Sequence, residues 1–563
     1  YDYGCDFETG YRVYQGGIYG KDFYTTLGPI SYNIIGTVFK ILGPKWLYIN
    51  LLYYVSWALT IVGIYFLLKT LSSNTSHLAL SILIAMPLGI PHLVALHSYN
   101  FIGYMFAIWS GVCFFKFLKN EHCRFLIASG IFSALALFTK QNIGLGCSLL
   151  IVTMLFVHRV ITRKNCWKKY IGSLLVFGSA LFFISSILYY CFSRPIGVSE
   201  LWHLMFTDAA QVKGGLNQML KTAMPRLLFG ISNHHDTRWV LQHLFEGLLF
   251  LCIVAILFLF FRSYLAPSIA RHKPLSSFIS DWDVLIYSTL LILFLFSPLL
   301  APTLIFGIKT RLLWIEWNYG LASLTLAFLF WLLFIGSGLA LILYLKTIKW
   351  CPKNGVTGIL LSLFAIGLTF CICSSRFSYI FLNMSLLLSV FLLLTLNLGL
   401  WTRKTIYGFG LTLWLLGLFL YYPPHALANL IRIKSPQLKG ILFGETDRGS
   451  IEVYTEKLKP YVQGKRTLWL SNGGAHSLSE GIPVRNVSIL YFDQFSPRIE
   501  ESLIKGWVLD PPEVIVRSWF SGHINTNGLK GEKFESWLSK NYVSIANIEG
   551  KTVLKLRPLN ETR

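Results

Sequence analysis

Asp2, Asp6, Glu8 and Asp22 lie in a segment, Tyr1–Gly43, that is otherwise rich in aromatics, glycine and β-branched residues and stands directly before the first long apolar run. Acids are out of place in such company unless they face water at a membrane surface, and carboxylates grouped there are the material of proton transfer. The competing reading is a solvated juxtamembrane loop with ordinary surface carboxylates; function also concentrates in loops, so both readings stand at this point. Further along, Lys140, Arg376 and Lys213 occupy short polar stretches between apolar runs. A cation at such a helix end either balances an anionic group or snorkels to the interface.

These residues must be positioned by membrane helices. The 563-residue chain is 54% hydrophobic and 13% charged, far from a soluble average. Apolar runs appear at Trp46–Leu68, His77–Leu96, Phe101–Leu118, Phe125–Phe138, Ile143–Val157 and Tyr170–Phe192, then at Val240–Phe261, Val284–Phe306, Tyr319–Leu345, Val356–Ile372, Tyr379–Leu400 and Ile406–Tyr422. Most reach the ~20 residues a helix needs to cross hydrocarbon. The two shorter runs that flank Lys140-Gln141-Asn142 read as separate crossings joined by a tight turn, with one long helix as the alternative. A formal charge of +23 raises the question of nucleic acid, but the bases are dispersed between apolar runs and form no stripe, which excludes that partner class. The 10 cysteines form neither a metal-ligand pattern nor a disulfide framework and read as small buried hydrophobes.

Basic loops orient the chain. Arg159, Arg163, Lys164, Lys168 and Lys169 lie in one inter-helix loop; Arg262, Arg271 and Lys273, then Lys346, Lys349 and Lys353, then Arg403 and Lys404 lie in others. The positive-inside rule places these in the cytoplasm. Alternation then puts Tyr1–Gly43, His97–Asn100, Lys140–Asn142, Ser193–Trp239 and everything after Pro423 outside. With Tyr1 outside, one earlier membrane helix is expected before it. In Ser193–Trp239, the spacing of Leu201, Trp202, Met205 and Phe206 suits an interfacial helix. His234, His235 and Asp236 are adjacent loop residues with no identified further ligand, so the expected metal set is none.

After Pro423-Pro424 hydropathy falls. Strand-like runs at Thr467–Leu470, Val487–Phe492, Glu513–Val516, Tyr542–Ile548 and Thr552–Leu556 alternate with helical candidates at Ser450–Val462 and Arg498–Lys505. The division is thus a membrane domain, 1–423, and a soluble α/β domain, 424–563, large enough for its own core.

The order Asp2-x-Gly4, Arg12-Val13, Gly16, Asp22-Phe23, Gly28-Pro29 resembles the first extracytoplasmic loop of the GT-C membrane glycosyltransferases, which include the protein O-mannosyltransferases and the lipid A aminoarabinose transferases. Tyr3 stands where an acid is common in that loop, and Tyr14 where a leucine is; Asp6 or Glu8 is available for the missing acid's role. The resemblance implies a polytopic α-helical fold of about twelve membrane helices with an exocytoplasmic C-terminal domain. It implies an inverting transfer of a hexosyl or pentosyl group from a polyprenyl-phosphate-linked donor to an acceptor hydroxyl on lipid, glycan or protein, within cell-envelope glycan assembly at a bacterial plasma membrane. That chemistry needs a carboxylate to take the acceptor proton and cations or dipoles to hold the departing phosphate. Asp2, Asp22 and Asp6 are the catalytic candidates, Asp2 first because its spacing to Gly4, Arg12 and Gly16 matches the loop. Lys140, Gln141, Arg376, Lys213 and Tyr99 are the substrate-binding candidates. The resemblance fixes no cofactor, and a divalent cation is left open as a helper. The alternatives are a transporter or flippase, or a polymerase or ligase of lipid-linked oligosaccharides; transporters carry midplane charges and internal repeats, neither of which the apolar runs show.

Overall fold

The computed structural model describes residues 2–25, 28–85, 98–162, 167–208, 352–373, 381–397, 430–431, 443–444, 451–470, 478–485, 487–488, 497–518 and 532–558. The apolar runs from Val240 to Leu345 and at Ile406–Tyr422, together with Lys213, His234, His235, Asp236 and Arg376, lie outside these residues.

The opening segment is not a loop. It folds as α1 (Asp2–Tyr14), a turn, strand β1 (Phe23–Tyr24) and α2 (Ile30–Leu42). The two helices approach closely because each presents a glycine: a Cβ on Gly10 would lie 2.2 Å from Ile35 Cγ2, and one on Gly36 would lie 2.4 Å from Val13 Cγ1. Beside this crossing, Phe7 stacks on Trp46 at 4.4 Å and meets Phe39 at 5.0 Å, so α1 is packed down onto α2 and the start of α3 (Trp46–Leu68).

Then follow α4 (Thr75–Ala85), α5 (Ser98–Asn120), α6 (Cys123–Thr139), α7 (Gln141–Thr162) and α8 (Trp167–Ser193). Among the described residues, four helices, Trp46–Leu68, Asn100–Asn120, Gln141–Val160 and Trp167–Ser193, are long and apolar enough to cross a membrane. The chain is an integral membrane protein. The helices are joined by small and hydroxyl residues, as expected where lipid gives no hydrophobic drive to association: Ser110 Oγ donates to the Ser129 carbonyl at 2.8 Å and lies 2.8 Å from Ser133 Oγ. Two later helices, α10 (Pro352–Cys373) and α11 (Phe381–Asn397), join the same core through Tyr104, whose hydroxyl donates to Asn383 Oδ1 at 2.7 Å.

Of the two readings of Lys140-Gln141-Asn142, the structure has two helices with a break. Lys140 is extended (φ −149°, ψ 113°) and ends α6, and Gly144 lets α7 turn back hard against it, since a Cβ there would sit 2.1 Å from the Leu137 nitrogen.

After α8 the chain forms α9 (Val198–Trp202), continued by a π-helical turn, His203–Thr207. The amphipathic expectation holds in part: Leu201, Leu204 and Met205 are buried, while Trp202 is exposed and lies against Phe206 at 4.7 Å.

The C-terminal residues build a five-stranded mixed sheet, in the order β5 (Ile482–Pro483), β4 (Arg466–Trp469), β7 (Val514–Ser518), β9 (Lys551–Leu556), β8 (Tyr542–Ile548). Two short strand pairs stand apart from it, β2 (Leu430–Ile431) with β3 (Phe443–Gly444), and β1 with β6 (Val487–Ser488). The β8–β9 hairpin turns on Glu549-Gly550, both at positive φ (47° and 75°), the geometry that matches strand twist. Strand alternation divides the apolar residues between two faces. Trp469, Val514, Val516 and Val553 pack with Val453, Leu458 and Val462, whereas Leu468, Leu470 and Ile515 pack with α12 (Pro497–Leu509) and α13 (Glu532–Asn541). Ile499, Leu503 and Trp507, spaced by four, form the inward stripe of α12.

Candidate functional site

The second face of the sheet is shared with the opening segment. Cys5, Tyr19, Phe23, Tyr24, Ile30 and Tyr32 form one apolar cluster with Phe138, the π-turn residues and the Leu468, Val484, Val487 and Trp507 side. Backbone bonds fix the join: β1 pairs in parallel with β6, Phe23 opposite Val487. Tyr24 Oη lies 3.1 Å from Ser502 Oγ, and Arg12 donates to the Val484 carbonyl at 2.6 Å.

This burial corrects the expectation that the acids face water. Asp6 is 2% exposed and Glu8 4%. Glu8 is held by Arg12 Nε at 2.9 Å, one helical turn on. Burial draws the Arg12 guanidinium below its ordinary value, opposed by the charge and hydrogen bond of Glu8 and, more weakly, by Asp22. Arg12 is therefore a structural ion that joins α1 to the sheet. Asp6 takes a different role: its Oδ2 accepts from Tyr53 Oη at 3.3 Å. Because the segment is helical, positions 2 and 6 stand one turn apart along α1.

Asp22 is a turn residue. Its Oδ2 accepts the Ile18 N–H at 2.8 Å, closing the Ile18–Asp22 turn, with the exposed Arg485 3.8 Å from Oδ1. The turn delivers a buried hydroxyl chain: Tyr19 Oη donates to the Thr25 carbonyl at 2.9 Å, and Thr25 Oγ1 lies 3.2 Å from Tyr32 Oη. Burial pushes both phenols up; for Tyr32 the Thr25 bond opposes this, while Tyr19 and Asp6 add to it.

Gly28-Pro29 then brings the chain against the α6 terminus, where a Cβ on Gly28 would lie 2.0 Å from the Phe138 carbonyl oxygen. Only glycine fits this approach, which sets the segment beside Lys140. Lys140 is buried, 4% exposed, and donates through Nζ to Asn100 Oδ1, so it does not snorkel. Asn100 precedes Phe101, whose ring lies parallel to Tyr53 at 6.5 Å. Asp6 is thus linked through Tyr53 and Phe101 to the first turn of α5, where Asn100, the next residue along the backbone, holds Lys140.

Gln141 Nε2 donates to the Met205 carbonyl at 3.1 Å and Asn142 Nδ2 to the Cys371 carbonyl at 2.7 Å, so the residues after Lys140 bind backbone. The Met205 turn is itself secured by Arg498 of α12, which donates to Glu200 at 2.5 Å and forms a fork on the buried Asp208. Asp2 and Tyr99 lie in α1 and α5, with side chains outside the described residues. Among the described residues, no three His, Cys, Asp or Glu side chains gather as metal ligands. Sequence reasoning missed Tyr53, Asn100 and Arg498; a lone Asn opening an apolar run was the available signal for Asn100.

Two solved structures resemble the chain, both titled ArnT from Cupriavidus metallidurans. The one bound to undecaprenyl phosphate has 12% identity, covering 98% of this chain and 93% of that one, at a TM-score of 0.42. The apo one has 12% identity and the same coverage, at a TM-score of 0.38. No curated protein matches. The family model described as dolichyl-phosphate-mannose-protein mannosyltransferase matches residues 27–190, from the Gly28-Pro29 turn through α2 to α8. Over that stretch the chain is similar to that mannosyltransferase family.

Proposed function

We propose that the protein is an inverting membrane glycosyltransferase that moves a sugar from a polyprenyl-phosphate-linked donor to an acceptor hydroxyl at the extracytoplasmic face. The observation that carries this reading is the link from the acid-bearing α1 to the buried Lys140, within and beside the stretch that matches the mannosyltransferase family.

In this reading Asp2 takes the acceptor proton as the sugar develops positive charge, and Lys140 holds the departing phosphate. Asp6, one turn from Asp2 and fixed by Tyr53, is the second carboxylate. It orders the face that Asp2 shares and tunes its charge. Asp22 closes the turn behind the hydroxyl chain and acts on geometry, not on the reacting atoms. A buried lysine is well suited to its task, because its attraction to a phosphate is screened less than at a surface. The wider architecture proposed is about twelve membrane helices with the C-terminal sheet as a soluble α/β domain outside, in a bacterial inner membrane.

The test uses purified full-length protein and a labelled polyprenyl-phosphate sugar. Release of polyprenyl phosphate with formation of a new glycosidic bond, in detergent without vesicles, is the expected result. Movement of labelled lipid between leaflets without bond formation identifies a transporter and defeats the proposal.

A further inference from the structure

We propose that Asn100 is a ligand of the donor's phosphate, working beside Lys140; this rests on the reading that Lys140 faces that phosphate. The argument begins from what each group can do. An ammonium only donates, so the atom of Asn100 that meets Lys140 Nζ is the amide oxygen, and the amide nitrogen is directed away. Asn100 is fully buried, and its Nδ2 has no hydrogen-bond partner among the described residues. A buried NH₂ with two unused donors is costly in a folded protein, and such groups persist where a ligand or water completes them.

The second step is electrostatic. A carboxylate of the same shape at position 100 would put a negative charge directly on Lys140. The amide orients the ammonium through its dipole and adds no negative charge, so this contact leaves the lysine's attraction for an anion intact. The third step is geometric. One turn along α5, a Cβ on Gly103 would lie only 3.5 Å from Lys140 Cβ and from Thr139 Cγ2, so α5 lies directly against the lysine. The ammonium and the amide NH₂ are thus two donors at one buried corner. Two donors around one oxyanion is the chemistry that recognises a phosphate group, whether on a lipid or as free phosphate.

The experiment measures binding of polyprenyl phosphate, and separately of the phosphate-free polyprenol, to the full chain in nanodiscs. The variants are Asn100→Asp, Asn100→Ser and Lys140→Met, each checked for an unchanged melting midpoint. Loss of a hydrogen bond to a charged group corresponds to at least about ten-fold in Kd. The expected result is that loss for polyprenyl phosphate in both Asn100 variants, larger in Asn100→Asp, with polyprenol binding unmoved. Equal losses for polyprenol and its phosphate would mean a packing role and overturn the proposal. A loss in Asn100→Asp with none in Asn100→Ser would reduce the effect to added charge and overturn it too. If Lys140→Met weakens phosphate binding and neither Asn100 variant does, the inference about Asn100 fails alone; if none of the three weakens it, the donor reading of Lys140 fails with it. Inorganic phosphate is titrated as a competitor: binding of inorganic phosphate that depends on Asn100, with no polyprenyl phosphate binding, would assign the corner to free phosphate and overturn the donor assignment.

Discussion

Arg498 is the side chain whose removal tests whether the C-terminal sheet helps hold the site. It is about one-third exposed, while one of its partners, Asp208, is 1% exposed and the other, Glu200, is 28% exposed. Burial lowers the guanidinium's proton affinity, but the bonds to Asp208 and Glu200 outweigh this and raise it above its ordinary value. The partly exposed Glu200 contact contributes under about 1 kcal/mol. Breaking a fully buried pair costs about 3–5 kcal/mol, and solvent access at Arg498 reduces that, so Arg498→Leu should cost about 2 kcal/mol in total. Since 1.4 kcal/mol is about a factor of ten, the opening equilibrium of the tethered segment should shift roughly thirty-fold. Hydrogen exchange in nanodiscs reads this directly: amides of residues 198–208 should exchange faster by about that factor. The effect should pass through the Gln141 bond to the Met205 carbonyl, so amides of residues 140–144 follow and the KM for donor rises. Arg498→Lys, which keeps the charge without the fork, should fall between wild type and Arg498→Leu. Unchanged exchange in 198–208, or an acceleration spread evenly over the chain, would refute the tether.

Asp2→Asn should lower transfer by at least ~10²-fold while donor binding survives, and Asp6→Asn should lower it less; the reverse order in a turnover assay would move the base one turn along α1. Asp22→Asn keeps an oxygen for the Ile18 N–H and should retain most activity, whereas Asp22→Ala should lose ~1 kcal/mol of turn stability, seen as faster proteolysis near the turn. Gly28→Ala forces backbone against the Phe138 carbonyl and should cost about 1–3 kcal/mol, read as a lower melting midpoint with impaired donor binding; a wild-type midpoint would show that this approach is not rigid. In a cysteine-free background, single cysteines at the exposed positions Lys21 and Arg485 should label from outside and one at Lys168 from inside; labelling of position 485 from the cytoplasm would invert the proposed site.

The membrane helices were legible because their signal is local. Trp46–Leu68 is both the apolar run and the helix, and the polar Lys140-Gln141-Asn142 marks a break that the structure places at Lys140. Strands β8 and β9 were legible for a similar reason, as alternation followed by a Glu-Gly turn. Helix α13 was not, because its inward side is reduced to Phe534, Trp537 and Leu538 in a short segment of charged and polar residues. The opening helix was hidden by its own composition: Gly4 and Gly10 read as loop signals, although Gly10 is there to admit Ile35 of α2.

The burial of the acids could not have been read locally at all. Asp6 and Glu8 are inside because α1 is covered on one side by α2 and α3 and joined on another to the C-terminal sheet through a bond from Arg12 to a carbonyl 472 positions away. This separation has a physical consequence for the site. A helix of 13 residues holding three acids and three glycines or threonines has little intrinsic tendency to persist alone, so its order derives from what it packs against. The carboxylate face of α1 is therefore only as well positioned as the contacts of β1 with β6 and of Arg12 with Val484 make it. The lysine end depends in turn on the π-turn that Arg498 secures. The same C-terminal residues, the sheet with α12 packed on it, thus brace both ends of the link from Asp6 to Lys140.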